Sequence, residues 1–94
     1  MKNQVKIIYC TQCKWLLRST WMAQELLTTF SEDIDELTLV PGTGGVFEIY
    51  ANDEKIWSRK AMNGFPEITT LKIKVRDVIN PTKDLGHIDR KKQK

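Results

Sequence analysis

The chain has 94 residues, of which 40% are hydrophobic and 29% charged, with a formal net charge of +3. This supports one domain with a core of modest size and excludes both a disordered chain and a membrane helix, since no apolar run approaches roughly 18 residues. The basic excess sits at the end: from Lys83 onward five basic residues face two acidic ones, while residues 1 to 82 balance to zero, so a nucleic-acid function is not expected.

Lys2 and Lys6 interrupt the N-terminal apolar run, which argues against a signal peptide and makes the cytoplasm the expected location. Val5 to Tyr9 (V-K-I-I-Y) is β-branched and aromatic and reads as a central strand. From Lys14 to about Phe30 the pattern is helical, with Leu16, Ala23, Leu27 and Phe30 as the inward stripe and Arg18, Gln24 and Glu25 polar. Ile34 to Val40 reads as a second strand, broken at Pro41-Gly42-Thr43-Gly44-Gly45. Val46 to Tyr50 and Lys55 to Ser58 form a hairpin across Ala51-Asn52-Asp53-Glu54.

Asn63-Gly64-Phe65-Pro66 punctuates the chain before a last helix, with Pro66 suited to its first turn. Ile68, Leu71, Val75, Val78 and Ile79 fall on one face of that helix, and Lys72, Lys74 and Arg76 are expected to point outward. Asn80-Pro81 ends it. Leu85 and Ile88 are candidates to fold back onto the body. The order β-α-β-β-β-α, with a right-handed parallel crossover followed by a hairpin, gives an α/β, thioredoxin-like domain: a mixed four-stranded sheet covered by two helices. The domain spans residues 1-82, followed by a basic polar tail at 83-94.

The two cysteines, Cys10 and Cys13, stand in C-T-Q-C where the first strand gives way to the first helix. They cannot by themselves supply the four ligands of a structural zinc site, and the single histidine, His87, lies in the tail. No metal or cofactor is expected, although a zinc site completed by a second subunit stays open. A disulfide across two intervening residues closes too small a loop to be a useful staple. At a helix start, unpaired N–H groups and the positive dipole end favour a thiolate, which can attack a disulfide while the second cysteine resolves the intermediate. Cys10 and Cys13 are therefore the candidate catalytic pair. A non-enzymatic redox-sensing or adaptor protein is the alternative.

V-K-I-I-Y-C-T-Q-C at 5 to 13, G-T-G-G-V-F-E-I at 42 to 49 and the spacing of the last helix resemble the selenoprotein W-like branch of the SelT/SelW/SelH (Rdx) family over roughly residues 4 to 80. L-G-H-I-D near the end resembles its bacterial members. That family commonly carries selenocysteine where this chain has Cys13, so the resemblance implies a cysteine-only homologue with a less acidic nucleophile. It also implies a role in cell redox homeostasis, with glutathione or thioredoxin-type partners. Analogy with thioredoxins makes Cys10 the attacking group and alignment with selenocysteine makes it Cys13; exposure at a helix start gives Cys10 a slight preference.

Gly44 and Gly45 are candidates to approach the cysteines, in the region where thioredoxins place a cis-proline loop, or else simply turn the chain. Trp15 and Trp21 lie about 240° apart around a helix, so they cannot share one narrow face. Trp15, Gly44 and Gly45 are the candidate docking residues, with Trp21 expected to pack against the sheet in the alternative arrangement. Trp57, Phe65 and Tyr9 read as core, and Glu48 as a solvent-facing strand residue with a minor claim to act as a proton acceptor.

Overall fold

Alternation in β1 (Gln4–Cys10) sends Val5, Ile7 and Tyr9 to one face, where all three are buried. The computed structural model describes residues 2–86. β1 pairs in parallel with β2 (Glu36–Gly42) and antiparallel with β3 (Phe47–Ala51), which pairs antiparallel with β4 (Glu54–Ser58). The sheet order is β2-β1-β3-β4, the mixed four-stranded sheet expected of a thioredoxin-like domain. Asn52 and Asp53 join β3 to β4 with φ of 49° and 70°, the left-handed pair of a two-residue type I′ turn.

Helices α1 (Leu16–Thr29) and α3 (Ile68–Ile79) pack on the buried face and touch each other. Met22, Leu26 and Phe30 from the α1 segment, Leu71 and Val75 from α3, and Phe47 and Ile49 from β3 fill the core with β1. Burying each such side chain fully contributes roughly 1.5–3 kcal/mol. Leu85 is also buried against this core, so the chain after α3 does return to the body; Ile88 and most of the tail lie outside the described residues.

Several elements depart from the sequence-based expectation. β2 continues through Pro41 and Gly42, which pair with Tyr9 and Cys10. Proline is tolerated there because β2 is an edge strand and Pro41 is exposed. Helix α1 starts at Leu16 rather than Lys14, because Lys14 has φ 60° and a right-handed helix cannot run through that conformation.

The inward stripe of α1 is Ser19, Met22, Ala23 and Leu26, while Leu16 and Leu27 are about half exposed. Adjacent leucines at 26 and 27 leave the phase ambiguous from hydrophobicity alone. Trp21 is exposed instead of packing on the sheet. Lys72 does not point outward: it is buried, its stem in the core and its Nζ 2.9 Å from Glu25 Oε1. A four-residue helix, α2 (Arg59–Met62), was not foreseen; Ser58 caps it by accepting the Ala61 N–H, and Asn63 at φ 59° ends it. Pro66 lies outside the last helix, which begins after an extended Glu67.

Candidate active site

The dithiol spans the last residue of β1, Cys10, and the turn that leads to α1. Thr11 is tied to β2 through its N–H and its hydroxyl, both donated to the Gly42 carbonyl at 3.0 and 3.2 Å. The Lys14 N–H returns to the Thr11 carbonyl at 3.2 Å and closes the turn. Cys13 therefore precedes the helix by three residues and Cys10 by six. The helix terminus is not what surrounds the sulfurs; amides of the turn and of the facing glycine loop do so.

Cys10 is fully buried, at 0% exposure, and Cys13 is partly exposed. Both are free thiols, and the Cys13 Sγ–H donates to Cys10 Sγ across 2.7 Å. That donation holds the Cys10 thiol below the ordinary range; burial opposes it, and the backbone amides of Gly45, Cys13 and Gln12 reinforce it. Cys13 is pushed up because its thiol proton is held in the hydrogen bond to Cys10, and burial and the Cys10 charge add to this, with Arg59 and the Gly45 amide pulling the other way.

Through its backbone amide, Gly45 thus acts on both thiols. Its φ is +75°, and a Cβ there would come within 3.3 Å of Arg59 Nη2. Gly44, at φ +71°, has open space where a side chain would stand, so its positive φ, not crowding, is what favours glycine there. Gly42 is also constrained, since a Cβ on it would meet Val46 Cγ1 at 2.8 Å.

Arg59 is the residue that sequence reasoning missed. Its Nε and Nη2 donate to the Gly45 carbonyl at 3.3 and 3.2 Å, and its guanidinium lies 5.0 Å from the Trp15 ring. Trp15 is half-buried, edge-on to Phe47 at 6.4 Å and to Phe65 at 4.9 Å. Arg18 in turn stacks over Phe65 at 4.2 Å. The one available signal was a cation following the hairpin, in S-R-K, and nothing local tied it to the cysteines. Glu48 is not at the sulfurs: it sits opposite Ile8, accepts the Tyr50 hydroxyl at 3.1 Å and pairs with Lys55 at 3.6 Å.

The sequence model of the Rdx family matches residues 4–77. The chain belongs to the Rdx family. A selenoprotein W-related protein from Vibrio cholerae, known from its crystal structure, is 55% identical to this Rdx chain, with a TM-score of 0.83 over 85% of this chain and 100% of its own. A Bordetella parapertussis protein of known crystal structure is 56% identical, with a TM-score of 0.80 over 82% of this chain and 98% of its own. A search of curated proteins finds no match. In this Rdx chain the Cys10–Cys13 pair lies at the junction of the first strand and first helix of a thioredoxin-like fold, an arrangement consistent with redox function. Among the described residues no group of three or more His, Cys, Asp or Glu could hold a metal ion, and no helix is long and apolar enough to cross a membrane.

Proposed function

We propose that this Rdx chain is a thiol–disulfide redox protein in which Cys13 attacks and Cys10 resolves. The observation that carries the assignment is accessibility: a partner sulfur can reach the partly exposed Cys13, whereas Cys10 is sealed. Cys10 first gives its own proton to solvent; moving the shared proton from Cys13 to Cys10, across 2.7 Å, then creates the attacking thiolate, which Arg59 and the Gly45 amide favour. That thiolate attacks a partner disulfide, forming a mixed disulfide at Cys13 and releasing one partner thiolate, which takes up a proton. Cys10 then loses its proton to solvent, supported by the amides of Gly45, Cys13 and Gln12. Its thiolate attacks the Cys13 sulfur, expels the second partner thiolate, which also takes up a proton, and closes the Cys10–Cys13 disulfide. The partner gains two electrons and two protons, and the dithiol loses them.

The lean toward Cys10 as nucleophile rested on its exposure at a helix start, and burial removes that support. Its depressed titration instead suits a proton acceptor and resolving group. A cytoplasmic setting and a glutathione- or thioredoxin-type partner that restores the dithiol complete the reading, as part of cell redox homeostasis.

The test is a redox titration in glutathione buffers with free thiols trapped by an alkylating mass tag. One two-thiol transition is expected, lost in Cys10→Ser and in Cys13→Ser. Cys10→Ser accumulates a glutathione mixed disulfide at Cys13, because nothing resolves it; Cys13→Ser accumulates none. The absence of any transition would put the adaptor reading first, and an adduct trapped at Cys10 alone would reverse the two roles.

A further inference from the structure

Three segments adjoin the end of the sheet where the sulfurs lie: residues 10–24, which leave β1 and enter α1, residues 40–47, which join β2 to β3, and residues 57–66, which end β4 and carry α2. They contain four cations, Lys14, Arg18, Arg59 and Lys60, and each segment is followed directly by a glutamate: Glu25 and Glu48, which pair with Lys72 and Lys55, and the exposed Glu67. The remaining chain, with eleven of the fifteen basic residues and all twelve acidic ones, is close to neutral. Because Glu25 and Glu48 are already paired while Lys14, Arg18 and Lys60 are in no ion pair among the described residues, the end near the dithiol is cationic on balance.

The cations at this end are partly pre-ordered. A continuous set of contacts runs from the sulfurs through Gly45 to Arg59, from Arg59 to Trp15, from Trp15 to Phe65, and from Phe65 to Arg18. A guanidinium stacked on an aromatic face keeps its N–H edges free for carboxylates. Arg18 and Lys60 are exposed and, among the described residues, neither is in an ion pair. Apolar side chains are exposed in the same segments: Leu17 is 82% exposed, and Leu16 and Met62 about half.

We propose that this surface docks an acidic protein segment, one whose disulfide is flanked by carboxylates and an apolar side chain. The assignment rests on the thiol–disulfide reading and names its substrate class. Carboxylates on either side of the incoming cystine meet Arg18 and Lys60, while Leu16, Leu17 and Met62 cover its apolar neighbour. A protein segment fits better than a small anionic thiol because the cations and exposed apolar groups extend well beyond the sulfurs, from α1 to α2. Exposed charges of this kind act chiefly on encounter rate.

The experiment compares three synthetic peptide disulfides, identical except that the residues flanking the cystine are Glu, Gln or Lys, reacted with the reduced full chain. The Glu peptide is expected to react about tenfold faster than the Lys peptide at low salt, with the Gln peptide between them. The ratio should shrink between about 0.01 M and 1 M salt, as the screening length falls from about 30 Å to about 3 Å. In the double variant Arg18→Gln, Lys60→Gln, whose changes are at exposed positions and leave the core intact, the ratio should fall toward one. Equal rates for the three peptides, or a preference that survives in the double variant, would overturn the docking proposal and leave the redox reading standing. Failure to exchange with any peptide would end both. Peptides reacting alike, together with duplex DNA binding that depends on Arg18 and Lys60, would assign the cations to a phosphate backbone and overturn the proposal.

Discussion

At the end of the sheet where β1 begins, polar side chains are spent on one another and on the backbone. Asn3 donates its N–H to Asp35 at 2.7 Å and its side-chain amide to the Asp33 carbonyl at 3.0 Å. Asn52 accepts the Gln4 N–H at 2.8 Å, returns its own N–H to the Gln4 carbonyl at 2.8 Å, and donates its side chain to Asn3 at 2.9 Å. At the end where β1 stops, Thr11 and Lys14 tie the turn to carbonyl oxygens, but the amides of Gly45, Cys13 and Gln12 act on sulfur. Side-chain and backbone bonding capacity fixes the strand register at one end. At the other, the same capacity is held open around two thiols, and Arg59 stands in for the missing local ties by clamping Gly45. A small sheet can leave one end reactive because the other end and the core hold its strands in place.

Breaking the closed end gives the largest effect on stability. Asn52→Ala removes two side-chain hydrogen bonds and puts alanine at φ 49°, and should destabilise the fold by about 2 kcal/mol. Chemical denaturation measures this, and the thiol titration should stay as it was, because the sulfurs lie at the opposite end. A shift in the thiols would mean that the two ends are coupled.

Gly45→Ala attacks the reactive end. The φ of +75° and the 3.3 Å approach to Arg59 predict a loss of about 1–2 kcal/mol. Unlike Asn52→Ala, it should also displace the amide that favours both thiolates, so the first thiolate, followed by its ultraviolet absorbance, should appear at higher pH than in the parent chain.

Asp33→Asn gives the smallest and most pH-dependent change. Lys83, then Asn80, holds the Asp33 carboxyl below the usual carboxylate range, against a smaller burial effect. A group depressed in the folded state contributes fully above its unfolded value of about 3.9, and that contribution is lost as pH falls through the lower folded value. The variant should therefore be about 1 kcal/mol less stable at neutral pH, with the gap to the parent closing in acid. A gap that widened in acid would contradict the pairing.

Strand alternation, the C-T-Q-C pair at a strand–helix junction, the Asn52-Asp53 turn and the glycine run at 42–45 were legible because each is a short-range signal. Together they determined the strand order along the chain and the position of the dithiol, though not the short helix α2. Tertiary structure decided what depends on contacts between distant segments. The left-handed Lys14 set where α1 starts, two residues later than the pattern suggested, and so put more chain between the cysteines and the helix end. Packing chose Met22 and Leu26 over Leu16 and Leu27, a phase that adjacent leucines could not specify. Lys72 went inward because Glu25, on another helix, was there to receive it. Burial of Cys10 and the clamp of Arg59 on Gly45 have the same origin: residues far apart in sequence meet only after β1, β2 and the hairpin have paired, so no local pattern could announce them.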